Sequence, residues 1–202
     1  MKLYFSPGAC SLSPHVALRE AGLAFSLERV DLRAKRTEKG ADYLAINPKG
    51  YVPALELDNG QVLTEGAVIV QYIADQKPDA KLAPRPGTME RYRLQEWLNF
   101  IATELHKGMG PIYNPKSNEE LKAAIRERVL SRLRVLAKHL DDRPYIMGDF
   151  SVADPYAYYT LRSWMRNAPS DLSELPSLKR YFHRISERPA VKAALEAEAR
   201  AT

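Results

Sequence analysis

The sequence predicts a small α/β domain followed by an all-α domain, on three observations. Strand and helix patterns alternate over residues 1–77, giving the order β-α-β-α-β-β-α. A stretch from 78 to 87 carries Pro78, Pro84, Pro86 and Gly87, the composition of a linker. From 88 to 202 the apolar spacing is almost wholly helical. The predicted division is therefore 1–77, a linker at 78–87, and 88–202.

The elements follow in order. Lys2 to Phe5 is the first strand, and the helix Leu12 to Ala21 is stopped by Gly22. Ser11 or Ser13 can cap that helix, and Pro14 falls where a first turn tolerates it. Phe25 to Asp31 alternates apolar and polar residues, the period of a half-buried strand, before a charged loop at 32–40. Asp42 to Ile46 reads as one helical turn, stopped by Asn47-Pro48-Lys49-Gly50. Ala54 to Leu57 and Gln61 to Thr64 flank Asp58-Asn59-Gly60, a hairpin signal, and Gly66 to Gln76 is a third helix. These four strands form one sheet with an antiparallel hairpin. Beyond the linker, one long helix is expected over Thr88 to Tyr113, then others over Asn118 to Leu140, Ser151 to Met165, Pro176 to Glu187 and Pro189 to Glu198. Ser151-Val152-Ala153-Asp154 has the form of a capping box.

Composition narrows function. The 202 residues are 45% hydrophobic, enough to build real cores, and no apolar run approaches a membrane span. One cysteine leaves no internal disulfide and fits a reducing cytoplasm, and His15, His106, His139 and His183 lack ligand spacing, so no metal site is expected. The formal charge is +5, but residues 1–77 hold 9 basic and 9 acidic residues, so the excess lies wholly in 78–202. Its densest run, Lys122 to Lys138, spreads around a helix without interleaved aromatics, which reads as a solvated face and not as a nucleic-acid footprint.

The chemistry centres on Cys10. It stands at or just before a helix N-terminus, where unpaired N–H groups and the helix dipole favour a thiolate. Val52-Pro53 opens a strand, a place to which proline is confined, and the bond could be cis. If the hairpin pairs beside the first strand, the Val52 backbone could bind an extended peptide. Glu65-Gly66 begins a helix, so its N–H groups suit a carboxylate while Glu65 suits an ammonium; a plain helix cap is the competing reading. Lys35 is a loop cation able to hold a second carboxylate, or simply solvated. Asn99, Thr103 and His106 share one face at helical spacing, with Glu104 beside them, and His106 could serve a sulfur or be structural. Tyr113 and Trp164 could line an apolar substrate site or be core.

Five segments together carry a resemblance: Ser6-Pro7-Gly8-Ala9-Cys10-Ser11-Leu12-Ser13, Asn47 to Leu55, Leu63 to Asp75, Trp97 to Lys107, and Ser151 to Asp154. In that order and spacing, over essentially the whole chain, they resemble bacterial beta-class glutathione transferases. The resemblance implies a thioredoxin-like N-terminal domain with a four-stranded mixed sheet, an all-helical bundle domain and a homodimer. It implies glutathione as co-substrate, with no metal, and a small hydrophobic electrophile as the second substrate. Cys10 matches the class cysteine able to form a mixed disulfide with glutathione, and His106 the histidine that faces it. Val52, before the family's cis-proline (Pro53), matches the residue that pairs with the cysteinyl backbone. Glu65 and Gly66 match the γ-glutamyl site, Lys35 the glycyl carboxylate site, and Asn99 and Glu104 positions reaching the same pocket. Ser11 and Tyr51 are placed at the glutathione site too, and Tyr113 and Trp164 at the electrophile site. Asp154 matches a helix-capping acid needed for folding.

Two positions depart from the pattern. Gly66 lacks the hydroxyl of the serine common in the wider superfamily, and Tyr51 replaces a frequent glutamine, with a ring that could wall the electrophile site. Ser13 stands where a dithiol redox motif would need a second cysteine. Conjugation is thus the expected reaction, with thiol–disulfide exchange or dehalogenation through Cys10 as variants. A non-catalytic binding or regulatory protein on the same fold is the alternative.

Overall fold

The computed structural model describes residues 1–168 and 172–201. By internal packing it divides into Met1–Ala83 with Arg188–Thr202, and Pro84–Glu187.

The first unit contains β1 (Lys2–Phe5), α1 (Leu12–Glu20), β2 (Ser26–Asp31), β3 (Arg36–Thr37), α2 (Tyr43–Ile46), β4 (Ala54–Glu56), β5 (Val62–Thr64) and α3 (Gly66–Gln76). The sheet order is β3-β2-β1-β4-β5, with β1 parallel to β2 and every other pairing antiparallel. The sheet has five strands where the sequence predicts four. The extra strand, β3, lies in the charged loop. There Asp31 accepts the N–H groups of Arg33 and Ala34, which turns the chain back so that Thr37 pairs with Val30. Two residues are too few for an alternation pattern to reveal. The predicted hairpin forms: Leu57 N–H donates to Gln61 O at 2.8 Å around Gly60, which has a φ of 81°.

Alternation along the strands distributes side chains between two faces. Tyr4, Val30 and Ala54 gather on one face with Val52 and with Tyr43 of α2. Leu3, Phe5 and Leu55 point to the opposite face, and all three are buried. α1 and α3 pack on each other, and α3 packs on β4 and β5.

The last helix, α9 (Pro189–Arg200), departs from the predicted division, which placed it with the all-α domain. It packs on α1 and belongs to the first unit. Val191 and Ala194 are buried, and Arg188 forks onto Glu20 at the end of α1, at 2.6 and 2.8 Å. A sequence pattern gives the apolar face of such a helix and not its partner, so this placement was illegible.

The second unit holds α4 (Met89–Phe100), α5 (Gly110–Tyr113), α6 (Glu119–His139), α7 (Ala153–Asn167) and α8 (Pro176–Ser186). Thr88 and Asn118 cap α4 and α6 by accepting the N–H groups of Arg91 and Leu121. The single long helix expected over 88–113 is broken. After α4 the chain winds as a π-helix over Ile101–His106, then as a 3-10 turn over Lys107–Met109, before α5. Thr103 Oγ1 bonds the Asn99 carbonyl at 3.0 Å, and Pro111 can neither donate to the ladder nor tolerate a helical carbonyl behind it.

Asp154, in the first turn of α7, is fully buried and draws in four donors: the N–H groups of Ile146 and Ser151 and the hydroxyls of Ser151 and Tyr181. Burial pushes its carboxyl up to about 6, while these donors pull the other way. Asp154→Asn sets an amide N–H₂ against such donors. It should cost about 2–4 kcal/mol of unfolding free energy in urea titrations at pH 7. A loss within about 0.5 kcal/mol would show that the cluster is not a folding element.

Candidate active site

In the first unit the site is built around the turn Ser6–Cys10. Ala9 N–H closes it onto Ser6 O at 3.0 Å, with Gly8 at a φ of 73°. Ser11 was expected to cap α1 or to touch ligand. Its hydroxyl instead accepts Ser6 N–H and donates to Ser6 O, and the residue is wholly buried. No side chain caps α1 at this position, so Ser11 is a staple holding the turn. The second candidate cap, Ser13, is buried with its hydroxyl unpartnered.

Cys10, partly buried, donates its S–H to the Val52 carbonyl at 3.4 Å, and the Val52–Pro53 bond is cis. The sulfur and the strand-entry peptide are thus brought together as expected. The segment before Val52 is fixed by residues the sequence reading passed over. Buried Tyr43 and Asn47 both donate to the Tyr51 carbonyl, at 3.1 and 2.8 Å. Asn47 Oδ1 also accepts Lys49 N–H, which shapes the tight turn through Gly50. Burial pushes the Tyr43 hydroxyl up, keeping it a donor. The signal was available, since Asn47 heads a turn sequence, but a turn asparagine reads as punctuation until its side-chain partner is known. Tyr51 is 47% exposed, in keeping with a wall and not with core.

Around this segment stand the charged candidates. Lys35 sits in the left-handed region at a φ of 56°, and its ammonium is held on Gly50 O at 2.6 Å. Glu65 has a φ of 69° just before Gly66, a strained geometry worth about 1–3 kcal/mol that gathers at functional positions. Its carboxylate meets Lys49 Nζ at 2.7 Å, and the same ammonium donates to Thr64 Oγ1. The Glu65 pairing pushes the Lys49 ammonium up. Among the described residues no side chain caps α3, and the helix start at Gly66 suits an anion held by backbone N–H groups. Lys49 therefore joins Lys35 as a cation of this region that the sequence reading missed.

The second unit places its candidates differently. The chain winds as a π turn where regular spacing predicts an α-helix; Asn99 and Thr103 are exposed, and His106 is partly buried. His106 Nδ1 is 2.9 Å from the Tyr156 hydroxyl, with its ring edge-on to Tyr156 and Tyr159. Burial, and then the Lys107 charge, push the imidazole down to about 4. It is therefore a neutral ring with a fixed orientation. Glu104 binds Arg128 and Arg132 at 3.2 and 3.0 Å, which hold its carboxyl below the usual range. Tyr113 exchanges a hydrogen bond with Ser163 at 2.8 Å and donates to Met109 Sδ; Trp164 is 3% exposed, and its indole N–H has no partner among the described residues. Among the described residues no group of three or more His, Cys, Asp or Glu side chains is arranged to hold a metal ion.

The neutral state of His106 has a consequence for stability. In the unfolded chain a histidine takes up its proton near 6.5, so falling pH favours unfolding until the folded ring also protonates near 4. Stability should decline over that interval and be indifferent to this group above about 7. His106→Phe should remove about 2–3 kcal/mol of the loss between pH 7 and 4.5 in urea titrations. Equal losses in both proteins would mean that His106 titrates normally.

Comparison with known proteins agrees with this geometry. The family model described as glutathione S-transferase, N-terminal domain, matches residues 8–76, and the one described as glutathione S-transferase, C-terminal domain, matches residues 100–189. Glutathione S-transferase GstA of Escherichia coli O157:H7 is 46% identical over 199 residues, which cover 98% of each chain. Among solved structures, the bacterial transferase BphK in a ternary complex superposes with a TM-score of 0.95 at 55% identity, covering 98% of this chain and 100% of its own. A sphingomonad glutathione S-transferase complexed with glutathione gives 0.95 at 48% identity, covering 98% and 99%. The beta-class enzyme of Sphingomonas chungbukensis gives 0.93 at 50%, covering 98% of each chain. The ordered motifs, the two-unit fold and these full-length matches lead to one conclusion: the chain belongs to the glutathione S-transferase family, in its bacterial beta class.

Proposed function

We propose that this protein binds glutathione in its first unit and transfers the glutathione thiolate to a small hydrophobic electrophile. The observation that carries the reading is the juxtaposition of Cys10 Sγ with the Val52 carbonyl at the cis Val52–Pro53 bond. A cysteinyl segment laid along Val52 pairs with that strand-entry backbone and brings its thiol to the Cys10 turn. Gly66 N–H and the start of α3 take the γ-glutamyl carboxylate, and Glu65 the ammonium. Lys35 serves the glycyl carboxylate, and Lys49 adds positive charge beside Glu65. Ser11 and Tyr51 stand at the glutathione site, Ser11 also holding the turn and Tyr51 walling the site. Asn99 and Glu104 are assigned to the margin of the glutathione site.

Cys10 and His106 carry the chemistry. The S–H of Cys10 is a donor that can turn to a thiolate, and the turn's N–H groups favour negative charge there. His106, neutral across the working range, is a ring that can donate a hydrogen bond to a sulfur anion. Attack on carbon gives the thioether; in the variant reaction Cys10 thiolate attacks a disulfide sulfur and expels the second thiolate. Tyr113 and Trp164 line the electrophile site. Met89 and Tyr92, both largely exposed and one turn apart on α4, support association of two copies into a homodimer. Among the described residues no helix is long and apolar enough to cross a membrane.

The reading is tested by intact mass after incubation with oxidised glutathione, whose disulfide the Cys10 thiolate attacks with expulsion of one glutathione thiolate, and by native mass with reduced glutathione. A gain of one glutathione under denaturing conditions, removed by dithiothreitol and absent in Cys10→Ala, is expected. Cys10→Ala should abolish thiol–disulfide exchange while retaining part of the conjugating activity. Absence of any glutathione adduct, covalent or native, would overturn the assignment in favour of a non-catalytic binding protein.

A further inference from the structure

The helix α9 reaches the Cys10 turn through Glu198. Glu198 is 4% exposed, and its Oε2 accepts the N–H of Gly8, inside the turn, at 3.2 Å. Its Oε1 lies 3.2 Å from Nδ1 of His15, which is wholly buried in α1. On the other side of that ring Arg19 Nε donates to Nε2 at 3.0 Å. A guanidinium can only donate, so Nε2 carries the lone pair and Nδ1 carries the hydrogen. His15 is therefore a neutral connector that accepts from Arg19 and donates to Glu198. One carboxylate collects two donors, one from the helix α1 and one from the turn that leads into it. The opposite end of α9 is tied to α1 separately, through the fork of Arg188 on Glu20.

We propose that Glu198 is a positioning residue for Cys10: by accepting Gly8 N–H and His15 Nδ1–H together it locks the turn that presents the sulfur. Only a carboxylate serves both donors. A glutamine of the same shape has one acceptor oxygen, and its amide N–H₂ opposes either Gly8 N–H or His15 Nδ1–H. The Ser11–Ser6 staple braces the turn from the residue that precedes α1, and Glu198 braces it from α9. The last helix of the chain thus forms part of the scaffold of the reactive turn. The importance of this lock for turnover rests on the role proposed for Cys10, whereas its existence does not.

The test compares Glu198→Gln with Arg188→Met, which loosens the same helix at its other end. Cys10 is the only cysteine, so alkylation by iodoacetamide reports on it alone. It is measured on the alkaline plateau, where the thiol is fully ionised and the rate reflects access and orientation. Glu198→Gln should raise the plateau rate about fivefold or more and speed amide exchange of residues 6–12 about tenfold, as expected for a turn released into local opening. Arg188→Met should leave both within about twofold while lowering the melting temperature. Should Glu198→Gln fail to fold, Arg19→Met, which frees the His15 ring, should change the same two readouts in the same direction. The proposal is overturned if Glu198→Gln, or Arg19→Met in its place, melts earlier yet keeps native alkylation and exchange. Neither readout involves glutathione, so its failure is distinct from failure of the transferase reading.

Discussion

The carbonyl of Tyr51 receives two buried donors, the Tyr43 hydroxyl and the Asn47 amide, and the site of the first unit depends on that arrangement. It fixes the peptide from which the next residue, Val52, turns its own carbonyl to Cys10. Burial makes the bonds decisive, because a donor withdrawn from water without a partner costs about 1–3 kcal/mol. Tyr43 belongs both to the apolar layer over the sheet, with Tyr4 and Val30, and to this polar contact. Core packing and site geometry are consequently the same fact seen from two sides.

Glycines and strained residues then let charged groups gather near that fixed strand entry. Gly8 and Gly50 supply positive φ angles in two turns, while Lys35 and Glu65 adopt such angles at a cost. Both lysines of the region are anchored, Lys35 on a carbonyl and Lys49 on Glu65, so their charges are placed and not merely solvated. The second unit reaches a comparable result by another route. The chain winds irregularly over 101–109, two tyrosines pack edge-on against the His106 ring, and burial keeps that ring neutral. π-helical turns recur at functional positions because they re-aim side chains without ending the helix.

Much of this was legible in the residues. Period-2 alternation and the Asn59-Gly60 turn give the hairpin, and Thr88 and Asn118 announce helix starts that the structure bears out. Cys10 before a helix and Val52-Pro53 at a strand entrance are readable as a pair once the strand order is right. What stayed hidden has a common physical character. The strand β3 is too short to show a period, the π turn adds a residue to a ladder whose sequence still looks α-helical, and α9 chooses its partner through long-range polar contacts. Ser11 illustrates the remaining limit: a serine beside a helix start suits a cap and a staple equally, and only the Ser6 distances show the staple.

The most direct measurement is a crystal structure with glutathione bound. The account predicts the cysteinyl backbone hydrogen-bonded to Val52, the γ-glutamyl carboxylate at Gly66 N–H, and the thiol sulfur at or bonded to Cys10. Glutathione lying elsewhere, with the Val52 peptide still closed on Cys10 alone, would contradict it.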